Sequence, residues 1–473
     1  MNYSRIFNSI DQQLFAELSA DYNPLHMDNV AARRLLFGKQ VVHGVHTLCW
    51  SIDCFLSEKD ADVELITLKV NFLKSVGLDE SITLDINDDK PGHAVIIARN
   101  ESVSVMKVGI SYVNRTKNSS LSKFEDALPG TEKCRIIHTS NVTDQKGSLK
   151  LYLHGLSFKR LFPHLYAKGN HFQFAWIIAT TRLIGMHCPG LHSIYSELDT
   201  TFSHDLDCAK NGEIVYTVKS FDQRFNLALL DLKGCGARGT IRAFIRPAPI
   251  SQISAALSKS HVEKGLFKDQ KALIIGGSRG LGEVTVKLLA AGGADIVFTY
   301  HQGAEDATQI VDEIRQAGGS AEAILYDVCQ NPKSLLANLP ANWQPSHLYY
   351  YATPFIFGGK KGVFNSSLFE KFCRFYVTGF SDVVTMLNNG NLKKILYPST
   401  VALDEKPSDM CEYVLSKSAG EILCSYIEKN CGISIFRPRI PRMSTDQTAN
   451  LFSIRSEAPV PVLLEYLKTM NLS

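Results

Sequence analysis

A glycine-rich run, Gly276-Gly277-Ser278-Arg279-Gly280-Leu281-Gly282, follows the apolar stretch Ala272-Leu273-Ile274-Ile275 and leads into an amphipathic segment over residues 283–291. A strand that turns on glycine straight into a helix opens a βαβ unit and leaves the helix N-terminus facing any phosphate that binds there. Gly276 permits the tight turn. Gly280 and Gly282 let the backbone approach a pyrophosphate and let the helix pack on the sheet. The alternation continues: strands are predicted at 295–300, 323–326, 347–351, 394–397 and 433–436, with a helix at 306–317. Apolar strands alternating with helices predict an α/β domain, a doubly wound parallel sheet covered on both faces.

With 473 residues the chain exceeds one ordinary core, so further domains are required. Residues 1–250 read differently from the rest. Helices are predicted at 12–18 and 42–56, then β-rich runs at 63–72, 81–86, 94–98 and 102–110, an α+β layer. The order returns with a helix at 172–186 and strands at 193–202, 213–218, 226–232 and 239–245. This is a repeat of element order, not of residues. Residues 251–268 are polar and read as a linker.

The segment Asp21-Tyr22-Asn23-Pro24-Leu25-His26 precedes Phe37-Gly38 and His43-Gly44. Adding water across a double bond conjugated to a carbonyl needs a base for the water proton and an acid for the α-carbon. The carbonyl needs a donor for the charge it develops. Asp21 and His26 are such a pair. Pro24 disfavours helix at Asn23, so a turn is expected, braced by the Asn23 amide, with both side chains turned inward. Taken singly, Asp21 reads as a helix cap and His26 as a core histidine. The Asn-Pro between them and the His-Gly downstream favour the chemical reading.

Residues 15–28, with Phe37-Gly38 and Val42-His43-Gly44, resemble the MaoC-like (R)-specific enoyl-thioester hydratases of the hot-dog fold. The resemblance implies that Asp21 and His26, in a motif that includes Asn23, activate the water, and that the Gly44 amide polarises the thioester carbonyl. Ala20 stands where that family usually has glycine. Residues 126–250 resemble a second, degenerate hot-dog half that helps form the acyl groove. The expected organisation is multidomain: 1–125 and 126–250 as an α+β double hot-dog, 251–268 as linker, and 269–473 as an α/β Rossmann-like domain.

Tyr413 and Lys417 lie one helical turn apart and share a face. A nearby ammonium lowers a phenol's pKa and fits it to exchange a proton with a carbonyl. The glycine loop and Tyr413-Val414-Leu415-Ser416-Lys417 resemble the short-chain dehydrogenases/reductases. The resemblance implies a nicotinamide dinucleotide held by Gly276, Ser278, Arg279, Gly280, Leu281, Gly282, Tyr413 and Lys417, and Asp327-Val328 resembles the family's adenine-contacting pair. The family's catalytic serine is matched by Ser399 in side-chain type, with Thr400 also open. Tyr300-His301-Gln302 ends the second strand with no acid to hold a ribose diol. With Arg279 and His301 nearby this favours NADP(H) over NAD(H). Three departures leave open a domain that binds nucleotide without turning over. Tyr350-Tyr351-Ala352-Thr353 replaces Asn-Asn-Ala-Gly, Tyr376 stands for the catalytic asparagine, and Pro438-Arg439 replaces Pro-Gly.

The net charge of +3 implies no field for nucleic acid. The start, Met1-Asn2-Tyr3-Ser4-Arg5, lacks a signal-peptide layout, and no apolar stretch is long enough for a membrane helix. The 11 cysteines form no CxxC pair and read as reduced thiols of a cytoplasmic protein. No metal is expected. Together these readings predict an (R)-3-hydroxyacyl hydro-lyase joined to an NADP(H)-dependent 3-ketoacyl reductase. Its expected partners are acyl-CoA or acyl-ACP thioesters, an acyl carrier protein and a second copy in a homodimer. A hydratase with a silent nucleotide domain and a non-catalytic acyl-binding scaffold are the alternatives.

Overall fold

The computed structural model describes residues 3–115, 127–203, 212–451 and 454–472. The expected division between 125 and 126 lies outside the described residues. The chain forms two compact units: the first runs to Ala248 and also takes in the short segment that begins at Asn450, and the second holds Pro249–Ala449 and the residues from Ile454 on.

The first unit is built on one ten-stranded sheet. Its strands are β1 (Tyr3–Ile6), β2 (Asp62–Phe72), β3 (Ser81–Lys90), β4 (His93–Asn100), β5 (Val103–Arg115), β6 (Lys146–Lys150), β7 (Ser193–Phe202), β8 (Glu213–Asp222), β9 (Leu227–Gly234) and β10 (Ala237–Ile245). The order β1-β3-β4-β5-β2-β7-β10-β9-β8-β6 repeats one five-strand pattern in mirrored sequence. The halves meet where β2 pairs antiparallel with β7. The repeat of element order is therefore a structural repeat. Helices α1 (Ser9–Ser19), α2 (Pro24–Met27), α3 (Asn29–Ala32) and α4 (Gly44–Ser57) belong to the first half. Helices α5 (Gly155–Leu161), α6 (Pro163–Lys168) and α7 (His171–Arg182) belong to the second.

Residues 45–56 of α4 and 173–182 of α7 are all buried. Among their buried polar side chains, Asp53 accepts from the His164 and Leu165 N–H groups, and Gln173 bonds the Leu65 backbone. Fully burying side chains such as Leu48 and Phe55 stabilises by about 1.5–3 kcal/mol each. The helix predicted over 172–186 is α7 followed by a π turn, Leu183–His187. The expected turn at Asn23-Pro24 is instead the one-turn helix α2. Proline disfavours helix before itself but suits the first helical position, so Asn23 becomes the N-cap and Pro24 starts the turn that carries His26.

In the second unit α8 (Ala255–Ser258) precedes β11 (Lys271–Ile275), α9 (Gly280–Ala291), β12 (Asp295–Tyr300), α10 (Ala304–Gln316), β13 (Glu322–Leu325), α11 (Lys333–Asn338) and β14 (His347–Tyr350). Then come α12 (Ser366–Cys373), a π turn at Arg374–Thr378, α13 (Gly379–Leu387), β15 (Lys394–Leu396), β16 (Ser399–Thr400), α14 (Ala402–Glu405), α15 (Cys411–Cys431), β17 (Ser434–Phe436), β18 (Arg439–Ile440) and α16 (Pro459–Leu472). The sheet order β13-β12-β11-β14-β15-β17, all parallel, reverses direction between β11 and β14. Ligands of such sheets bind at that switch, outside the carboxyl ends of the strands. Residues 251–268 differ from the expected linker: Ala255, Val262 and Phe267 are buried in this unit's core, and Phe267 N–H donates to Gly292 O at 2.9 Å. Among the described residues no helix is long and apolar enough to cross a membrane.

Candidate active sites

Asp21 follows the C-cap of α1, where Ala20 sits in the left-handed region at φ 54. That conformation costs an L-residue strain that glycine avoids. Asn23 Oδ1 accepts from Leu25 N–H at 3.0 Å, and its Nδ2 donates to Gly185 O at 2.9 Å and Leu191 O at 3.3 Å. Asn23 thus braces its own turn, as expected, and also ties that turn to the second half. His26 Nδ1 bonds Val41 O at 2.8 Å. A carbonyl only accepts, so Nδ1 carries the proton and Nε2 is left basic.

The Asp21 carboxylate is 1% exposed. Its Oδ2 accepts from Thr181 Oγ1 at 2.7 Å and its Oδ1 from Asn23 N–H at 3.2 Å. Gly185, in the π turn, packs flush against it: a Cβ there would lie 2.6 Å from the carboxyl carbon. Burial pushes Asp21 up from the usual carboxylate range, opposed by His26, Thr181 and the Asn23 amide. Burial pushes His26 down, opposed by Asp21. His43 stacks on His26 at 3.9 Å between centroids, bonds Asp21 O at 2.9 Å, and is held neutral by its burial.

Ligand atoms of Asp21, His26 and His43 all lie within 4.8 Å of one another. One ring nitrogen of each histidine is already committed to a carbonyl. His26 Nε2 and His43 Nδ1 have no hydrogen-bond partner among the described residues, and the carboxylate already accepts from Thr181 and Asn23. Gly44 opens α4, and first-turn N–H groups have no partner within their own helix. A Cβ at Gly44 would come within 2.9 Å of the Phe72 ring. Asp21, His26, Gly44, Thr181 and Gly185 line one cavity of about 240 Å³, with Val41, Phe72, Val105, Met106, Ile184 and Phe244 as apolar wall.

In the second unit Gly276 (φ 82) and Gly280 (φ 58) are left-handed. A Cβ on Gly282 would collide with the Gly276 carbonyl. Gly276 and Gly277 leave β11, the Ser278 side chain is buried, and Arg279 is the N-cap of α9, with Gly280, Leu281 and Gly282 as its first turn. The loop is therefore a cradle of backbone around a helix N-terminus, suited to a dinucleotide's phosphates. His301 follows β12 with Nε2 3.5 Å from Asp327 Oδ2. Val328 is buried next to it.

Tyr413 and Lys417 lie on α15. Tyr413 is 8% exposed and packs edge-on against Phe372 and Tyr376 at 5.8 and 5.7 Å. Burial pushes its hydroxyl up to about 12, opposed by the Thr400 hydroxyl. The expected acidification by Lys417 is not found: burial and Thr400 are the influences on this phenol. Lys417 Nζ donates to Pro398 O at 2.7 Å and faces the rings of Tyr376 at 4.0 Å and Tyr397 at 5.0 Å. Burial brings it down to about 7. The Ser399 hydroxyl donates to Glu421, which Arg439 holds in a two-pronged ion pair. Neighbouring strand residues point to opposite faces, so of the two hydroxyls it is Thr400 that meets Tyr413.

Sequence reasoning missed Thr181 and Gly185. Both sit in a helical run whose pattern carries no catalytic signal, and they reach Asp21 only through the pairing of the two halves.

Residues 3–94 match the family model described as MaoC like domain, and residues 270–344 the one described as short chain dehydrogenase. A mitochondrial 3-hydroxyacyl-[acyl-carrier-protein] dehydratase of Arabidopsis thaliana is 45% identical over 42 residues, covering 9% of this chain and 25% of that protein. The 1-cyclohexenylcarbonyl-CoA reductase of Streptomyces collinus is 33% identical over 72 residues, 15% of this chain and 26% of that protein. The chain thus spans about a quarter of the length of the curated relatives it matches. A short-chain dehydrogenase/reductase structure from Serratia marcescens aligns with TM-score 0.39 and 19% identity, over 43% of this chain and 91% of that one.

Proposed function

We propose that this chain, a MaoC-like domain joined to a short-chain dehydrogenase domain, is a bifunctional enzyme of acyl thioesters carried on coenzyme A or an acyl carrier protein. The first unit adds water to a 2-enoyl thioester to give the (R)-3-hydroxyacyl thioester, or removes it. The second interconverts that alcohol and the 3-ketoacyl thioester with NADP(H). The observation that carries the reading is the meeting of Asp21, His26 and the N-terminus of α4 in one apolar cavity.

In hydration, His26 Nε2 and the Asp21 carboxyl hold one water and divide the two proton transfers. The water oxygen bonds C3 as the double-bond electrons move onto the thioester oxygen. The Gly44 N–H meets that oxygen's charge in an apolar-walled cavity. A proton then returns to C2. In the second unit a bound nicotinamide dinucleotide supplies or accepts the hydride. Tyr413 exchanges the proton with the substrate oxygen, Thr400 orients its hydroxyl, and the Gly276–Gly282 loop binds the pyrophosphate.

The test is hydration of crotonyl-CoA by the full chain. Asp21→Asn, which keeps shape and loses the charge, is expected to cost at least about 100-fold with the thermal transition retained. Undiminished hydration in that variant would remove Asp21 from the reaction. A second reading, hydratase with a silent nucleotide domain, is favoured by one feature: Tyr376 packs against both Tyr413 and Lys417. NADPH binding without reduction of acetoacetyl-CoA would select it.

A further inference from the structure

Arg246, one residue past β10, is 1% exposed. Its backbone N–H donates to His192 O at 2.8 Å and its Nη2 to Leu191 O at 2.6 Å. The same Leu191 carbonyl accepts Asn23 Nδ2 at 3.3 Å. Asn23 in turn caps the helical turn that carries His26. Arg246 Nε and Nη1 find no hydrogen-bond partner among the described residues. Burying a cation without a full set of partners is strongly unfavourable, so a purely structural arginine is a costly way to hold one carbonyl.

We propose that Arg246 is a positioning residue of the hydratase site: it fixes the Leu191 carbonyl that anchors Asn23, and its positive charge acts on His26. The inference rests on the hydratase reading of that site. Four groups act on His26. The Asp21 carboxylate favours its protonated form, as does the Val41 carbonyl at Nδ1; Arg246 opposes it, and the stacked His43 ring lies over it. Around Arg246 itself are the Cys134 thiol and the His192 imidazole, the latter pushed down by burial and by Arg246. Arg246 therefore works with burial to keep Nε2 unprotonated, the form that can accept a proton from water.

The test compares Arg246→Met and Arg246→Lys in the full chain. Titration of His26 is followed by NMR of labelled histidine, assigned with His26→Gln, beside the pH profile of crotonyl-CoA hydration. Arg246→Met is expected to move the His26 midpoint and the acid limb of the profile to higher pH, and to cost at least about 10-fold in kcat through the loosened turn. Arg246→Lys keeps the charge and loses the fork, so the midpoint stays while the rate falls. A folded Arg246→Met with midpoint and limb in their parental places overturns the proposal and leaves Arg246 a packing residue. Should that variant not fold, Arg246→Gln, which can still donate to Leu191, gives the same two outcomes. A parent that hydrates nothing while the His26 midpoint still moves would sink the hydratase reading and keep the electrostatic link.

Discussion

Replacing Thr181 by valine removes one hydroxyl from a carboxylate that has little else. Asp21 is 1% exposed, and its side chain receives Thr181 Oγ1 at 2.7 Å and Asn23 N–H at 3.2 Å. A hydrogen bond to a charged group contributes about 1.5–3 kcal/mol. Its loss raises the Asp21 pKa further, beyond the rise that burial already imposes. Hydration requires the carboxylate, so the acid limb of kcat/KM moves up by the same amount. At a pH below the parental limb the rate falls about 10–100-fold. The stability consequence has the matching sign. A carboxyl whose folded pKa is raised contributes stability below its unfolded pKa and loses it as pH rises through the folded one. Thr181→Val therefore destabilises the first unit at neutral pH and converges on the parent in acid. Thr181→Ser restores the donor and the profile. The assay is the pH dependence of crotonyl-CoA hydration for the three proteins. An acid limb that stays put in Thr181→Val would refute the claim that this bond tunes Asp21.

Gly185→Ala places a methyl group against the Asp21 carboxyl carbon, and is expected to lower hydration at least about 100-fold through misplacement, read as kcat on crotonyl-CoA; near-parental kcat would show that the π turn can yield. Ala20→Gly relieves the left-handed strain at φ 54 and is expected to stabilise by about 0.5–1 kcal/mol, seen as a higher unfolding midpoint. Thr400→Val is expected to cut acetoacetyl-CoA reduction about 10–100-fold while Ser399→Ala leaves it within about 3-fold, because only Thr400 meets Tyr413; the reverse order of effects would restore Ser399 to the catalytic role.

Much of the second unit could be read from local signals. Gly276, Gly280 and Gly282 stand where the turn requires them, and the strands alternate with helices at short range. The first unit's strands were also legible, since alternating burial such as that of β3 leaves its trace in composition. Asp21, Asn23, His26 and Gly44 announced themselves because they lie within one short stretch. Thr181, Gly185 and Arg246 did not. They reach the site through the antiparallel pairing of β2 with β7, between residues more than 120 apart in sequence, and of β7 with β10. The choice between Ser399 and Thr400 needed the strand's facing, which spacing alone does not give. The helix at Pro24 was missed because proline acts oppositely on the residue before it and the turn after it.

The central claim is that one chain holds both chemistries on a shared (R)-3-hydroxyacyl thioester. The most direct measurement adds crotonyl-CoA to the purified full chain, follows loss of the enoyl absorbance, and then adds NADP⁺ to the same cuvette. Hydration followed by NADPH formation is the predicted result. Hydration with no NADPH from this product, under conditions where NADPH binding is demonstrated, would contradict it and leave the second unit a nucleotide-binding domain closed by Tyr376.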